Sequence, residues 1–140
     1  MKKISIFFFL ILICACSNSD DTNNSIAPSI NPPSWIQGYW LRQVDATTGS
    51  VTDLQGIKAI NDDFYFTQLG SGNSMKALIA STVQSGAPAV VNEMITDSEY
   101  KLNITLNGMS YPQYYFKKSS STKIQYFDTA GAGGAFFIKQ

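Results

Sequence analysis

The chain has 140 residues, ten Lys and Arg against ten Asp and Glu, no His, and only two Cys. With no histidine, and with both cysteines near the start at positions 14 and 16, Ser-His-Asp triads, histidine general bases and the usual zinc sites are excluded from any domain that follows. The formally neutral balance also argues against nucleic-acid binding, which rests on a strongly basic surface.

Met1-Lys2-Lys3 is followed by Ile4 to Ile13, apolar except for Ser5. A basic start and a short apolar core are the layout of a signal peptide. A membrane-spanning helix needs about 20 apolar residues, and the polar run Ser17-Asn18-Ser19-Asp20-Asp21 arrives too early for one. Small side chains precede signal cleavage sites, which favours a cut after Ala15 over one after Ile13. The run Ile13-Cys14-Ala15-Cys16 resembles a bacterial lipobox, in which the cysteine after the cut carries the acyl chains (palmitate and its relatives). The resemblance implies that residues 1–15 leave and that Cys16 becomes the lipidated first residue, tying the chain to a membrane. The alternative is an ordinary secreted protein with an N-terminal cysteine. Loss of Lys2 and Lys3 leaves eight basic against ten acidic side chains.

From Ser17 to Pro33 the chain is dominated by Ser, Asn, Asp and Pro, with Ile26 and Ile30 its only large apolar residues. Residues 16–33 therefore read as a flexible linker. Its 17 residues after Cys16 reach about 55 Å when fully extended. The pair Asp20-Asp21 resembles the export signal of Bacteroidetes-type lipoproteins, which implies an outer-membrane location with display on the cell surface. Solvated linker charge is the alternative for this pair.

Residues 34–140 suffice for one small domain and are too few for two. Aromatic residues make up 13% of the chain and no long stretch has clean helical periodicity, so an all-β fold is expected. Strands are predicted near Tyr39 to Asp45, Gly56 to Ile60, Asp63 to Leu69, Met75 to Ser81, Tyr100 to Leu106, Met109 to Lys117, Lys123 to Asp128 and Ala135 to Lys139. Gly- and Asn-containing turns separate them. The firmest prediction is a tight hairpin at Asn107-Gly108, since both residues tolerate positive φ. It places Tyr100, Leu102, Ile104 and Leu106 on one buried face. Pro112 lacks an amide hydrogen and belongs at an edge or bulge, which would turn Tyr114 and Phe116 inward. The segment Thr82 to Asp97 reads as a long loop, alone or with a short strand.

Gly38-Tyr39-Trp40, just inside the first predicted strand, resembles the Gly-x-Trp of lipocalins and lipocalin-like bacterial domains. Gly56 to Phe66 is similar to their second and third strands, and Tyr111 to Ile124 to the late hairpin of small lipocalin-like lipoproteins. The resemblance implies an antiparallel up-and-down barrel of about eight short strands, plugged at one end by Trp40 beneath a small ligand cavity. Lipocalins pair that Trp with an Arg from a late strand. Arg42, the only arginine here, sits on the Trp40 strand, which leaves Lys139 as a substitute. The short chain also suggests a cavity filled by Phe64, Phe66, Phe136 and tyrosines.

No catalytic site emerges. Asp62-Asp63 reads as a turn, because adjacent strand residues face opposite ways. Glu93, Asp97 and Glu99 suggest a carboxylate groove or a calcium site only on spacing, and solvated charge is favoured for both groups. The glycine stretches lack the Gly-Lys-Ser/Thr ending of phosphate loops. Asp128-Thr129-Ala130 resembles a Bacteroidetes O-glycosylation site with Thr129 as acceptor; a plain turn is the alternative. Tyr111, Tyr114, Tyr115, Tyr126 and Phe127 divide between core and binding surface. The expectation is a lipid-anchored, monomeric envelope lipoprotein without cofactor or catalysis, anchored through Cys16, whose barrel binds a small apolar ligand or a protein. The alternative is an inhibitor, immunity-type or structural lipoprotein acting through protein contacts with a packed interior.

Overall fold

The computed structural model describes residues 27–127 and 134–140. They form β1 (Gly38–Gln43), β2 (Val51–Ile60), β3 (Asp63–Gln68), β4 (Ser71–Ser74), α1 (Met75–Gln84), β5 (Ala89–Ile95), β6 (Glu99–Leu106), β7 (Met109–Ser110), β8 (Tyr114–Lys118), β9 (Lys123–Phe127) and β10 (Phe136–Lys139). The fold is all-β and antiparallel apart from the one helix. Among the described residues no helix is long and apolar enough to cross a membrane.

A single sheet runs in the order β4-β3-β2-β1-β10-β9-β8-β6-β5, with β7 added beside β6. First and last strands are neighbours, so the sheet curls around one core. Its edge strands β4 and β5 are not paired with each other. The result is a curled half-barrel: the small antiparallel barrel expected from the sequence, left open between β4 and β5. The gap arises because the link between the two edges is helical, and α1 packs against β3, β4 and β5.

That helix corrects the strand predicted near Met75 to Ser81. Met75 and Ile79, four apart, form its buried face, with Leu78 packed beside them. Its start is fixed twice over. The Ser74 hydroxyl accepts the Ala77 N–H at 2.8 Å, and the Asp63 carboxylate accepts the Lys76 N–H at 2.9 Å. Gly86, with φ of +80°, follows the last turn. The segment beyond it holds β5, so Thr82 to Asp97 is helix end, short connection and strand rather than mostly loop.

The hairpin at Asn107-Gly108 is present, with φ of +50° and +76° and with Leu106 opposite Met109. Strict alternation along β6 buries Tyr100, Leu102, Ile104 and Leu106. Around Pro112 the predicted Met109 to Lys117 strand divides into β7 and β8, and Tyr114 and Phe116 point into the core. On β10 the inward side chain is Phe137, 1% exposed, while Phe136 faces out. This reverses the expectation for Phe136: its partner in the ladder is outward-facing Gln125, whereas Phe137 stands opposite buried Ile124.

The domain also begins earlier than residue 34. Ile30 is 1% exposed and belongs to the core with Ile36 and Trp40, and Ala27 packs against the same cluster. The end of the expected linker is therefore a strap. Two isoleucines in seventeen residues gave the stretch too little apolar content to read as folded, yet burying Ile30 against an existing core contributes about 1.5–3 kcal/mol.

Candidate functional site

Two ends and one outer wall of the half-barrel are candidate sites. At the first end, Trp40 is fully buried and its indole N–H donates to the Ile36 carbonyl at 2.7 Å. Gly38 has φ of +129°, and a Cβ there would lie 2.7 Å from Cε of Lys139. The lysine stem occupies the space that glycine leaves, and its Nζ sits 5.3 Å from the centroid of the Trp40 ring. Register explains the meeting, since Trp40 and Lys139 are direct partners across β1 and β10. A broad, open concavity of about 640 Å³ lies outside this end, lined by Gln37, Tyr39, Lys58, Ile60, Asp62 and Lys139.

Aromatic side chains fill the space above Trp40. Phe64 lies 5.4 Å from Tyr114, 5.6 Å from Phe116 and 6.5 Å from Tyr100, centroid to centroid. Phe116 is 5.3 Å from Tyr126, which meets Phe137 edge-on at 6.4 Å. Phe66 joins this cluster through Tyr114 and Tyr126. At the opposite end these rings leave a shallow cup of about 410 Å³ bounded by Arg42, Gln55, Phe66, Tyr126 and Phe137. The Arg42 guanidinium donates to the Gln55 side-chain oxygen at 2.5 Å. Two residues from Trp40, it lies at the rim rather than over the indole.

The carboxylates are dispersed among structural tasks. Asp63, 4% exposed, accepts the Ser74 hydroxyl and the Lys76 and Phe64 N–H groups, so it is a buried helix anchor and not solvated charge. Its neighbour Asp62 pairs with the Lys76 ammonium at the surface. Glu93 turns inward, accepting the Tyr100 hydroxyl at 2.6 Å and the Asn31 N–H at 3.0 Å. It too departs from the expected solvated role, because it pins the strap to the core. Burial, and next the Glu93 carboxylate, push the Tyr100 phenol far above its ordinary range. Glu99 faces outward and meets Lys117 at 3.2 Å. Glu93, Asp97 and Glu99 therefore do not share a site. Among the described residues no group of three or more His, Cys, Asp or Glu is placed to hold a metal ion.

The outer wall was the least legible from sequence. Across β6, β8 and β9 the ladder aligns Lys101, Tyr115 and Phe127 in one row and Glu99, Lys117 and Gln125 in the next. Lys101 Nζ lies 4.3 Å from the Tyr115 centroid, and Tyr115 is 5.1 Å from Phe127. Lys117 Nζ stands 5.4 and 5.5 Å from the same two rings, and Lys123 Nζ is 4.3 Å from Phe136. Alternation in the runs YYFKK and KIQYF announces such a face, but only the pairing of three strands assembles it.

Cys16 and Thr129, the expected lipidation and glycosylation positions, lie outside the described residues. Comparison with known proteins found no family model, no curated protein and no solved structure that matches this chain.

Proposed function

We infer that the chain is a lipid-anchored lipoprotein of the cell envelope, held through Cys16, whose half-barrel is a non-catalytic binding module working from its outer surface. Supporting the anchor are the basic start, the short apolar segment and the Ile13-Cys14-Ala15-Cys16 run. The observation that carries the binding mode is the aromatic filling of the interior by Phe64, Tyr100, Tyr114 and Phe116, each at most 8% exposed. A binding pocket for a small molecule ordinarily encloses most of its ligand. The spaces at the two ends are open and shallow, whereas the outer wall offers half-exposed rings beside ammonium groups.

The second reading is a small apolar ligand with an acidic group, seated in the cup between Phe66, Phe137 and Arg42. Native mass spectrometry of the protein isolated from its own membrane separates the two. The polypeptide with only its covalent lipid is the result the surface-binding reading predicts. A retained small molecule, lost on Arg42→Ala, would replace it with the ligand reading.

A further inference from the structure

The outer face of β6, β8, β9 and β10 gathers Lys101, Lys117 and Lys123 with Tyr115, Phe127 and Phe136, and we propose that it binds an acidic polysaccharide. Sugar rings would lie on the aromatic side chains and their carboxylate, sulfate or phosphate groups against the three ammoniums. The proposal rests on the reading of the domain as a surface-binding module and names its ligand class.

Charge is the first argument. Three lysines share this face with one carboxylate, Glu99, which is engaged by Lys117. Lys101 and Lys123 have no ion pair among the described residues. Of the other described acids, Asp45, Asp53, Asp62 and Asp63 belong to the β1–β4 half, Glu93 turns inward, and Asp97 lies in the connection between β5 and β6; Asp20, Asp21 and Asp128 lie outside the described residues. A chain with a neutral overall balance therefore has one locally cationic wall, against which like charges on neighbouring strands repel. The contacts of Lys101 with Tyr115, of Lys123 with Phe136 and of Lys117 with Glu99 offset part of that repulsion in the free fold, and an anionic partner would offset the rest.

Ring geometry is the second. Lysine stems commonly shield exposed rings, but here the ammoniums themselves lie over ring faces, 4.3 Å from the centroids of Tyr115 and Phe136. Rings capped by ammoniums match a polymer that alternates apolar sugar faces with fixed negative groups: the anionic groups draw the ammoniums off the rings, and the uncovered faces take the sugars. Four strands side by side make this wall about 15 Å wide, enough for several linked sugars and far more than one small anion needs. A peptide of acidic residues alone would use the charge and leave the rings unused. A lipid surface would favour rings that protrude, whereas these are half-buried between lysines.

The test uses the full-length chain purified in detergent and immobilised polygalacturonate and chondroitin sulfate, with neutral dextran as comparison. Lys101→Gln with Lys123→Gln is one variant and Tyr115→Leu with Phe127→Leu the other, each checked by circular dichroism and thermal unfolding. The proposal predicts binding to the acidic polymers and not to dextran, weakening as salt rises from about 50 mM to about 500 mM. It also predicts at least a tenfold loss in either folded double variant. Equal affinity in wild type and variants, or no binding to either acidic polymer, overturns it. So does patch-dependent binding confined to phosphatidylglycerol vesicles by a Cys16→Ala chain, which would assign the wall to lipid. If an aromatic variant unfolds, the lysine variant alone decides, since its side chains are solvent-facing. Failure here leaves the surface-binding reading standing unless a retained interior ligand is found in the native mass measurement.

Discussion

Lys139 lies against Gly38 and places its ammonium over the Trp40 indole, so the last strand closes the end of the barrel on which the first strand begins. Two properties of Gly38 are used at once: its positive φ, and the missing Cβ that admits the lysine stem. Gly38→Ala is expected to destabilise the fold by about 1–3 kcal/mol, chiefly through backbone strain and displacement of Lys139. Lys139→Ala should cost about 0.5–1 kcal/mol. In urea unfolding, the double variant should recover the steric part of the Gly38→Ala loss. Strictly additive losses would show that the two residues are independent.

The strap makes a separate prediction. Ile30→Ala should cost about 2–4 kcal/mol, in the range of other buried large-to-small changes. Glu93→Ala leaves the Tyr100 hydroxyl without its acceptor and should cost about 1–3 kcal/mol. Hydrogen exchange at Asn31 should accelerate in both variants. Unchanged stability in Ile30→Ala would mean that the strap is not part of the folding unit.

Asp63 ties β3 to the start of α1 through the Ser74 hydroxyl and the Lys76 N–H. Asp63→Ala removes both bonds and is expected to lose about 1–3 kcal/mol, with α1 exchanging faster than β6. Asp62→Ala removes only an exposed ion pair with Lys76. A stability loss for Asp62→Ala matching that of Asp63→Ala would contradict these assignments.

Burial raises the phenol ionisation of both Tyr100 and Tyr114. An unfolded tyrosine ionises near pH 10, so above that pH the unfolded chain releases protons that the folded chain keeps. Their linked contribution is complete below about pH 10 and declines as pH rises further. Alkaline titration should show part of the tyrosinate absorbance appearing only together with unfolding. Smooth ionisation of all tyrosines while circular dichroism stays native would contradict the burial of these two.

Much of the sheet can be read locally because one residue pair or one alternation decides each element. Asn107-Gly108 specifies a primed turn by itself, and YKLNITL alternates so strictly that β6 has one possible inner face. Pro112 marks the break that turns Tyr114 and Phe116 inward. The helix was hidden because Met75, Leu78 and Ile79 are few, and its start depends on Asp63, twelve residues before Met75. Ile30 was hidden for a related reason: a single apolar residue in a polar stretch gains its meaning from the core it enters. The lysine-aromatic wall depends on register between strands, which no single segment contains.

Anchoring through Cys16 is the claim on which the cellular reading turns, and intact mass tests it most directly. The full-length gene would be expressed in a Bacteroidetes host, with Cys16→Ala alongside, and the membrane-extracted product weighed. A polypeptide beginning at Cys16 with added acyl mass, absent from the variant, is the predicted result. A soluble, unacylated product from the unaltered chain would contradict it and leave a secreted binding domain without an anchor.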